Sequence, residues 1–154
     1  MLGENGDLAD IEKAGLLTVR DNRVLLCRKR HGTALLILPG GRNEAGEDAM
    51  ECLRRELAEE LGPVRTTRLE FAGKYTSQAA TAGEASPKRV QIDLYCGDLQ
   101  GEPAANSEIR ELVWFGQSDN PEQLAPSLRY VIFPDLIARG ILTWTAFPET
   151  GRLI

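Results

Sequence analysis

Short apolar runs alternate with turn-forming residues along most of the chain, and the apolar spacing lengthens to the helical period in two places. Segments 13–19 (KAGLLTV) and 23–30 (RVLLCRKR) read as strands. Asp21-Asn22 between them suits a tight turn, which predicts a hairpin. The continuous apolar run 34–38 (ALLIL) is halted by Pro39-Gly40-Gly41. Ala49, Leu53, Leu57 and Leu61 then recur every four residues and predict a helix over 47–61, stopped by Gly62-Pro63. Strands are predicted over 66–75, 89–99 and 109–116, with a small, polar loop at 76–87 between the first two. A second helix is predicted over 133–140, with Pro134 in its first turn and Gly140 after its end. The pattern does not place the apolar tail after Gly140.

This order of strands and helices contains no internal repeat and no long linker. It predicts an α/β domain with a mixed sheet and helices packed on its faces, spanning 1–154, with polar residues 1–12 flexible. A chain of 154 residues suits one such domain, and 42% hydrophobic with 27% charged residues is ordinary for it. The net charge of −5 argues against binding of polymeric nucleic acid but leaves a nucleotide substrate open. No run approaches the roughly 18 apolar residues of a membrane span, and no basic-then-apolar leader opens the chain. Cys27, Cys52 and Cys96 each sit in an apolar pattern and are expected to be buried free thiols, which suits the cytoplasm. His31 lies in a turn-forming sequence beside Gly32 and has no second histidine with which to share a metal. Trp114 and Phe115 are expected in the core.

Charge is unevenly spread. From Glu44 to Glu60 there are seven acids against two arginines, whereas from Lys13 to Arg30 there are six basic residues against one acid. On a helix, Glu56, Glu59 and Glu60 fall within an arc of about 100°, next to the leucine stripe. Like charges at i, i+4 repel, and carboxylates at the core boundary are costly without a counter-charge. A solvated acidic face is the ordinary explanation of such a composition. A hard divalent cation, Mg²⁺ or Mn²⁺, is the alternative that removes the cost. Glu47 and Arg55, two turns apart, can pair only if Glu47 lies on a loop that folds back.

The stretch resembles the signature of the Nudix hydrolases. That signature is a glycine, five residues, a glutamate, seven residues, then Arg-Glu-aliphatic-any-Glu-Glu-any-Gly-aliphatic. Here it is Gly41, Glu47 and Arg55 to Gly62, with Pro63 the one departure, at a packing position. The resemblance implies an α/β/α sandwich and metal-dependent hydrolysis of a nucleoside diphosphate linked to another moiety. It implies that Glu56, Glu59 and Glu60 bind Mg²⁺ or Mn²⁺, joined by the Gly40 carbonyl and by Glu108, with Glu111 as rival. Arg55 and Glu47 would hold the loop and helix in shape, with Gly41 and Gly62 as its structural glycines. Which glutamate acts as base differs within the family; Glu59 is favoured here, as either a base beside the metal or a ligand of it, and Arg55, Glu56, Glu59 and Glu60 form the catalytic set.

Arg28, Arg30 and Lys74 are the candidate phosphate contacts; strand-edge charge is their ordinary role. Markers of the ADP-ribose, diadenosine-polyphosphate and NADH subfamilies are missing downstream of the box. Oxidised or ordinary (d)NTPs and nucleotide sugars remain alternatives, and a homodimer stays open. A non-catalytic nucleotide-binding module would be expected to lose box carboxylates, and all are kept. Isoprenoid-diphosphate isomerisation would want a catalytic cysteine before the box, and Cys27 lies inside a predicted strand.

Overall fold

The computed structural model describes residues 10–78 and 89–147. Its strands are β1 (Ile11–Leu17), β2 (Val19–Arg20), β3 (Arg23–Lys29), β4 (Gly40–Arg42), β5 (Arg65–Gln78), β6 (Arg89–Gln100) and β7 (Ile109–Phe115). The helices are α1 (Ala49–Leu61) and α2 (Phe133–Ala138). One mixed sheet runs β4-β1-β6-β5, with β1 and β6 parallel and the other pairs antiparallel. The second, antiparallel sheet runs β2-β3-β7.

The expected hairpin is therefore corrected. The first strand leaves its sheet at buried Thr18, and only Val19 and Arg20 pair with β3. Asp21 and Asn22 both take positive φ, 52° and 62°, as a two-residue turn of that hand requires. The physical reason for the switch is burial on both faces of β3. Leu25 packs with α1, while Val24 and Leu26 pack with the opposite layer. The first strand thus serves two sheets in turn, and helices cover both sides as an α/β/α sandwich.

The α1 layer is built from Cys52, Leu53, Leu57 and Leu61 against Ala14, Leu16, Leu25 and Leu99. Its helix begins two residues later than predicted, because Asp48 is the N-cap. The Asp48 carboxylate accepts from the Glu51 amide at 2.8 Å and the Glu51 side chain accepts from the Asp48 amide at 3.0 Å. At the other end, the carbonyls of Leu61 and Glu60 accept from the amides of Ala104 and Asn106, each at 3.0 Å. The 101–108 loop therefore caps the helix C-terminus and is fixed beside it.

The opposite layer centres on Phe133, Trp144, Phe115 and Phe147, with Phe133 and Trp144 ring centroids 5.0 Å apart. The tail up to Phe147 belongs to this core. The Trp144 Nε1–H donates to the Asn22 carbonyl at 2.8 Å. A π-helical turn, Ser127–Ile132, precedes α2 and was not predicted. Phe133 reaches back to the Leu128 carbonyl, and Pro134 beside it has no amide to donate, so the wider turn adjoins the residue that breaks regular helical bonding. Phe115 is fully buried as expected, whereas Trp114 is half-buried under the Arg20 guanidinium, 5.3 Å from its ring centre.

Of the segment expected to be flexible, residues 1–9 lie outside the described residues, while Ile11 and Glu12 already belong to β1. Of the loop predicted at 76–87, residues 76–78 continue β5 and the rest lies outside the described residues. Cys27 and Cys52 are buried free thiols and Cys96 is a half-buried one.

Phe133→Ala is expected to cost about 3–5 kcal/mol, and Asp48→Ala about 1 kcal/mol. Equilibrium unfolding in urea measures both, and equal losses would contradict the core and cap roles assigned to these residues.

Candidate active site

Two glycines set the site. Gly40 has φ of +139°, and a Cβ there would lie 2.0 Å from the Ala14 carbonyl oxygen. A Cβ on Gly41 would lie 2.4 Å from the Glu56 carboxyl carbon. Strand β4 can pair with β1 and touch α1 only because both positions lack side chains. The Gly40 amide then donates to Glu60 Oε1 at 3.0 Å, inside the protein.

Glu60 is only 6% exposed. Its carboxyl is pushed up to about 7, chiefly by burial; the Gly40 hydrogen bond opposes this and the Glu56 charge adds to it. This is the boundary carboxylate that helical spacing places against the leucine stripe.

Arg55 organises the surrounding acids. Its Nη2–H donates to Glu47 Oε1 at 3.0 Å and to the Arg42 carbonyl at 3.2 Å, and its Nη1–H donates to Glu56 Oε2 at 2.8 Å. Glu44 and Glu59 stand 3.6 and 3.8 Å from the same guanidinium. Glu47 lies before the N-cap, on the loop that folds back, so the pairing that a straight helix forbids is made. The Arg55 hydrogen bond holds the Glu47 carboxyl below its usual range. Glu44 faces the site beside Arg55, and Asp48 with Glu51 forms the cap; the surplus acids of this stretch thus have separate structural places.

These groups line a cavity of about 570 Å³, a size suited to a small ligand. Gly40, Arg55, Glu56, Glu59, Glu60 and Glu108 all line it. Glu108 is brought there by the loop that caps α1. Arg30 secures that loop, donating its amide to the Glu108 carbonyl at 2.8 Å and its Nε–H to the Ser107 carbonyl at 3.1 Å. Glu111, the rival, is paired with Arg28 across β3 and β7 and does not line the cavity.

Arg28, Arg30 and Lys74 are absent from the lining. Arg28 is held by Glu111 and the Ala34 carbonyl, and Lys74 stands 3.4 Å from Asp93. The basic residues that do line the cavity, besides Arg55, are Lys13, Lys29, Arg42 and His31. Strand alternation held the missing signal. Lys29 is two residues from Cys27 and on the face opposite Arg28, and Lys13 shares a face with Ile11 and Gly15. Burial, then the Lys29 charge, pulls the Lys13 ammonium below its usual value. Burial pushes the Cys27 thiol up to about 12, which keeps it unreactive.

Among the described residues, no three carboxylate, imidazole or thiol groups are gathered closely enough to enclose a metal ion. The donor set nevertheless fits a hard cation. Three glutamates of one helix face one cavity, and one of them is buried with no basic side chain bonded to it.

The chain shows its kinship in both sequence and fold. A family model described as the NUDIX domain matches residues 12–136. Similar solved structures include a MutT NUDIX hydrolase from Burkholderia pseudomallei, 27% identical, covering 77% of this chain and 92% of that one, with a TM-score of 0.65. The E. coli ORF135 protein is 26% identical, with 90% and 94% covered and a TM-score of 0.63. A mutator MutT protein from Bacillus halodurans is 25% identical, with 80% of each chain covered and a TM-score of 0.61. No curated protein matches the sequence. The chain belongs to the Nudix family and is a hydrolase of phosphoanhydride bonds, a family whose substrates are small nucleotides. Among the described residues no helix is long and apolar enough to cross a membrane.

A raised carboxyl binds more protons in the folded state, so its contribution to stability is lost as pH rises from about 4.5 to about 7. Metal-free Glu60→Gln is therefore expected to be more stable than metal-free wild type at pH 8, by up to about 3 kcal/mol, and equal to it near pH 4. Thermal unfolding in chelator at the two pH values checks this. A Glu60→Gln protein less stable than wild type at pH 8 would contradict the burial cost.

Proposed function

We propose that the protein is a divalent-metal-dependent pyrophosphohydrolase. Its substrate would be a nucleoside diphosphate linked to another moiety, cleaved by attack of water at phosphorus. The observation that carries this reading is buried Glu60. A carboxylate at 6% exposure, hydrogen-bonded among the described residues to one backbone amide and facing a cavity with Glu56 and Glu59, calls for a cation from solution. Glu56, Glu59 and Glu60 would hold Mg²⁺ or Mn²⁺, with the Gly40 carbonyl and Glu108 contributing from the adjoining strand and loop. Bound there, the metal lowers the pKa of a water and neutralises phosphate oxygens.

The chain's own groups do the rest. Arg55 fixes the orientation of Glu56 and keeps the loop carrying Glu44 and Glu47 against the helix. Glu59, with a side chain 55% exposed and 3.8 Å from the Arg55 guanidinium, would serve either as a metal ligand or, from beside the metal, as the base that takes a proton from the attacking water. Glu60, held by the Gly40 amide, stays buried and accepts positive charge. Positioning and charge neutralisation then supply most of the rate.

A panel of nucleoside triphosphates, nucleotide sugars and dinucleotides, assayed with Mg²⁺ and Mn²⁺, is expected to reveal turnover that chelator abolishes. Glu56→Gln and Glu60→Gln should each lower kcat roughly a hundredfold or more. Absence of turnover on every compound, with wild type and variants alike, would overturn the reading.

A further inference from the structure

Strand β4 closes one end of the mixed sheet among the described residues, with β1 as its paired neighbour. The free side of such an edge needs hydrogen-bond partners from elsewhere. Helix α1 supplies them. Cys52, Glu56 and Glu60 recur at i, i+4 and i+8 and so form one row along the helix. Glu60 accepts from the Gly40 amide at 3.0 Å, and Glu56 fills the space that the missing Cβ of Gly41 leaves. At the other end of the row the Cys52 thiol donates, shared between the Arg42 carbonyl at 3.2 Å and the Gly41 carbonyl at 3.4 Å. The row therefore meets β4 step by step from Arg42 to Gly40.

Cys52 is the uncharged member of the row, and it is fully buried. Burial raises its pKa above the usual thiol value, so at neutral pH the sulfur carries the proton that it donates. An apolar side chain of similar size would pack against the same leucines and leave the carbonyls unbonded. Arg55 reaches the Arg42 carbonyl too, at 3.2 Å, but its guanidinium is also drawn to Glu47 and Glu56. The thiol holds the strand from inside the core, where water does not compete. A strand fastened at Gly40 alone can pivot; a second fastening at Arg42 fixes its tilt and its separation from the helix. Glu56 is wedged against Gly41, so a strand that drifts outward releases that carboxylate as well.

We infer, resting on the hydrolase reading above, that Cys52 is a positioning residue of the cation site. Its thiol donates to the backbone of β4 and sets the separation of that strand from α1. It thereby places Glu56 and the Gly40 carbonyl towards the cation. The sulfur itself neither ligates the cation nor reacts. Groups that stand behind metal ligands in this way typically change metal affinity when removed.

The test reads the cation and the strand separately. Mn²⁺ is titrated into metal-free wild type, Cys52→Ser, Cys52→Ala and Cys52→Val, with free Mn²⁺ followed by electron paramagnetic resonance. The Ser variant keeps a donor and the Ala variant removes it. The Val variant removes it while filling the volume, which separates the lost bond from a void. Mn²⁺ affinity is expected to fall about tenfold in Cys52→Ala and Cys52→Val and to stay within about threefold of wild type in Cys52→Ser. Amide hydrogen exchange of residues 40–42, without metal, should quicken in the first two variants and not in the third. Wild-type affinity in all three variants would overturn the inference, as would equal losses in all three, which packing alone would give. Should Cys52→Ala fail to fold, Cys52→Val against Cys52→Ser decides. Were wild type to bind no Mn²⁺ and cleave no nucleotide, the hydrolase reading would fall by itself. Exchange would still decide the thiol: faster exchange in Cys52→Val than in Cys52→Ser supports it, and equal rates overturn it.

Discussion

The site depends on one close approach: the two glycines of a short strand laid against a helix that presents carboxylates. Gly40 lets β4 pair with β1, since the Ala14 carbonyl lies where its Cβ would be, and Gly41 leaves the space that the Glu56 side chain fills, while the Gly40 amide holds Glu60. Because Glu60 is enclosed there, water cannot solvate it, and its carboxyl rises to about 7. The protein thereby keeps an electrostatic cost inside its own core. Such a cost persists in a structure only where surrounding packing enforces it, and it is repaid when a cation arrives. The leucines on the adjoining face of α1 supply that packing.

Around this approach, the remaining charges are placed by backbone. Arg55 reaches Glu47 because Asp48 caps the helix one residue later, leaving Glu47 free to fold back. The loop after β6 donates its amides to the last carbonyls of α1, and the same loop carries Glu108 to the cavity. Helix capping and site assembly are thus one event at each end of α1. The second layer contributes differently: the Phe133–Trp144 cluster and the π-helical turn hold Leu128 and Ser127 against the cavity's aliphatic side.

The three strongest local signals of the sequence were matched by structure. These were the helix that ends at Gly62, the strand at 109–116 and the fold class, and each follows from periodicity and breakers close in sequence. The hairpin at the N-terminal end was not legible as it stands, because whether a strand serves one sheet or two is decided by what packs on each face of its neighbour. The π-helical turn and the position of the tail are not legible in the sequence for a similar reason: both are set by aromatic packing between distant segments. Arg28 and Lys29 are adjacent in sequence, yet only Lys29 faces the cavity, since successive strand residues point to opposite sides.

By itself, then, the sequence determined the acidic helix, the glycine pair before it and their spacing, because helical period and chain reach are local properties. It thereby determined the family. Only the tertiary structure decided which acid is buried, which acid of 108 and 111 meets the cavity, and which basic residues line it with the glutamates. Those outcomes depend on desolvation and on partners tens of residues away: Glu60 lies under β4, Glu111 is claimed by Arg28, and Lys13 and Lys29 converge from two different sheets. Burial and pairing are properties of neighbours in space, and a linear spacing cannot express them.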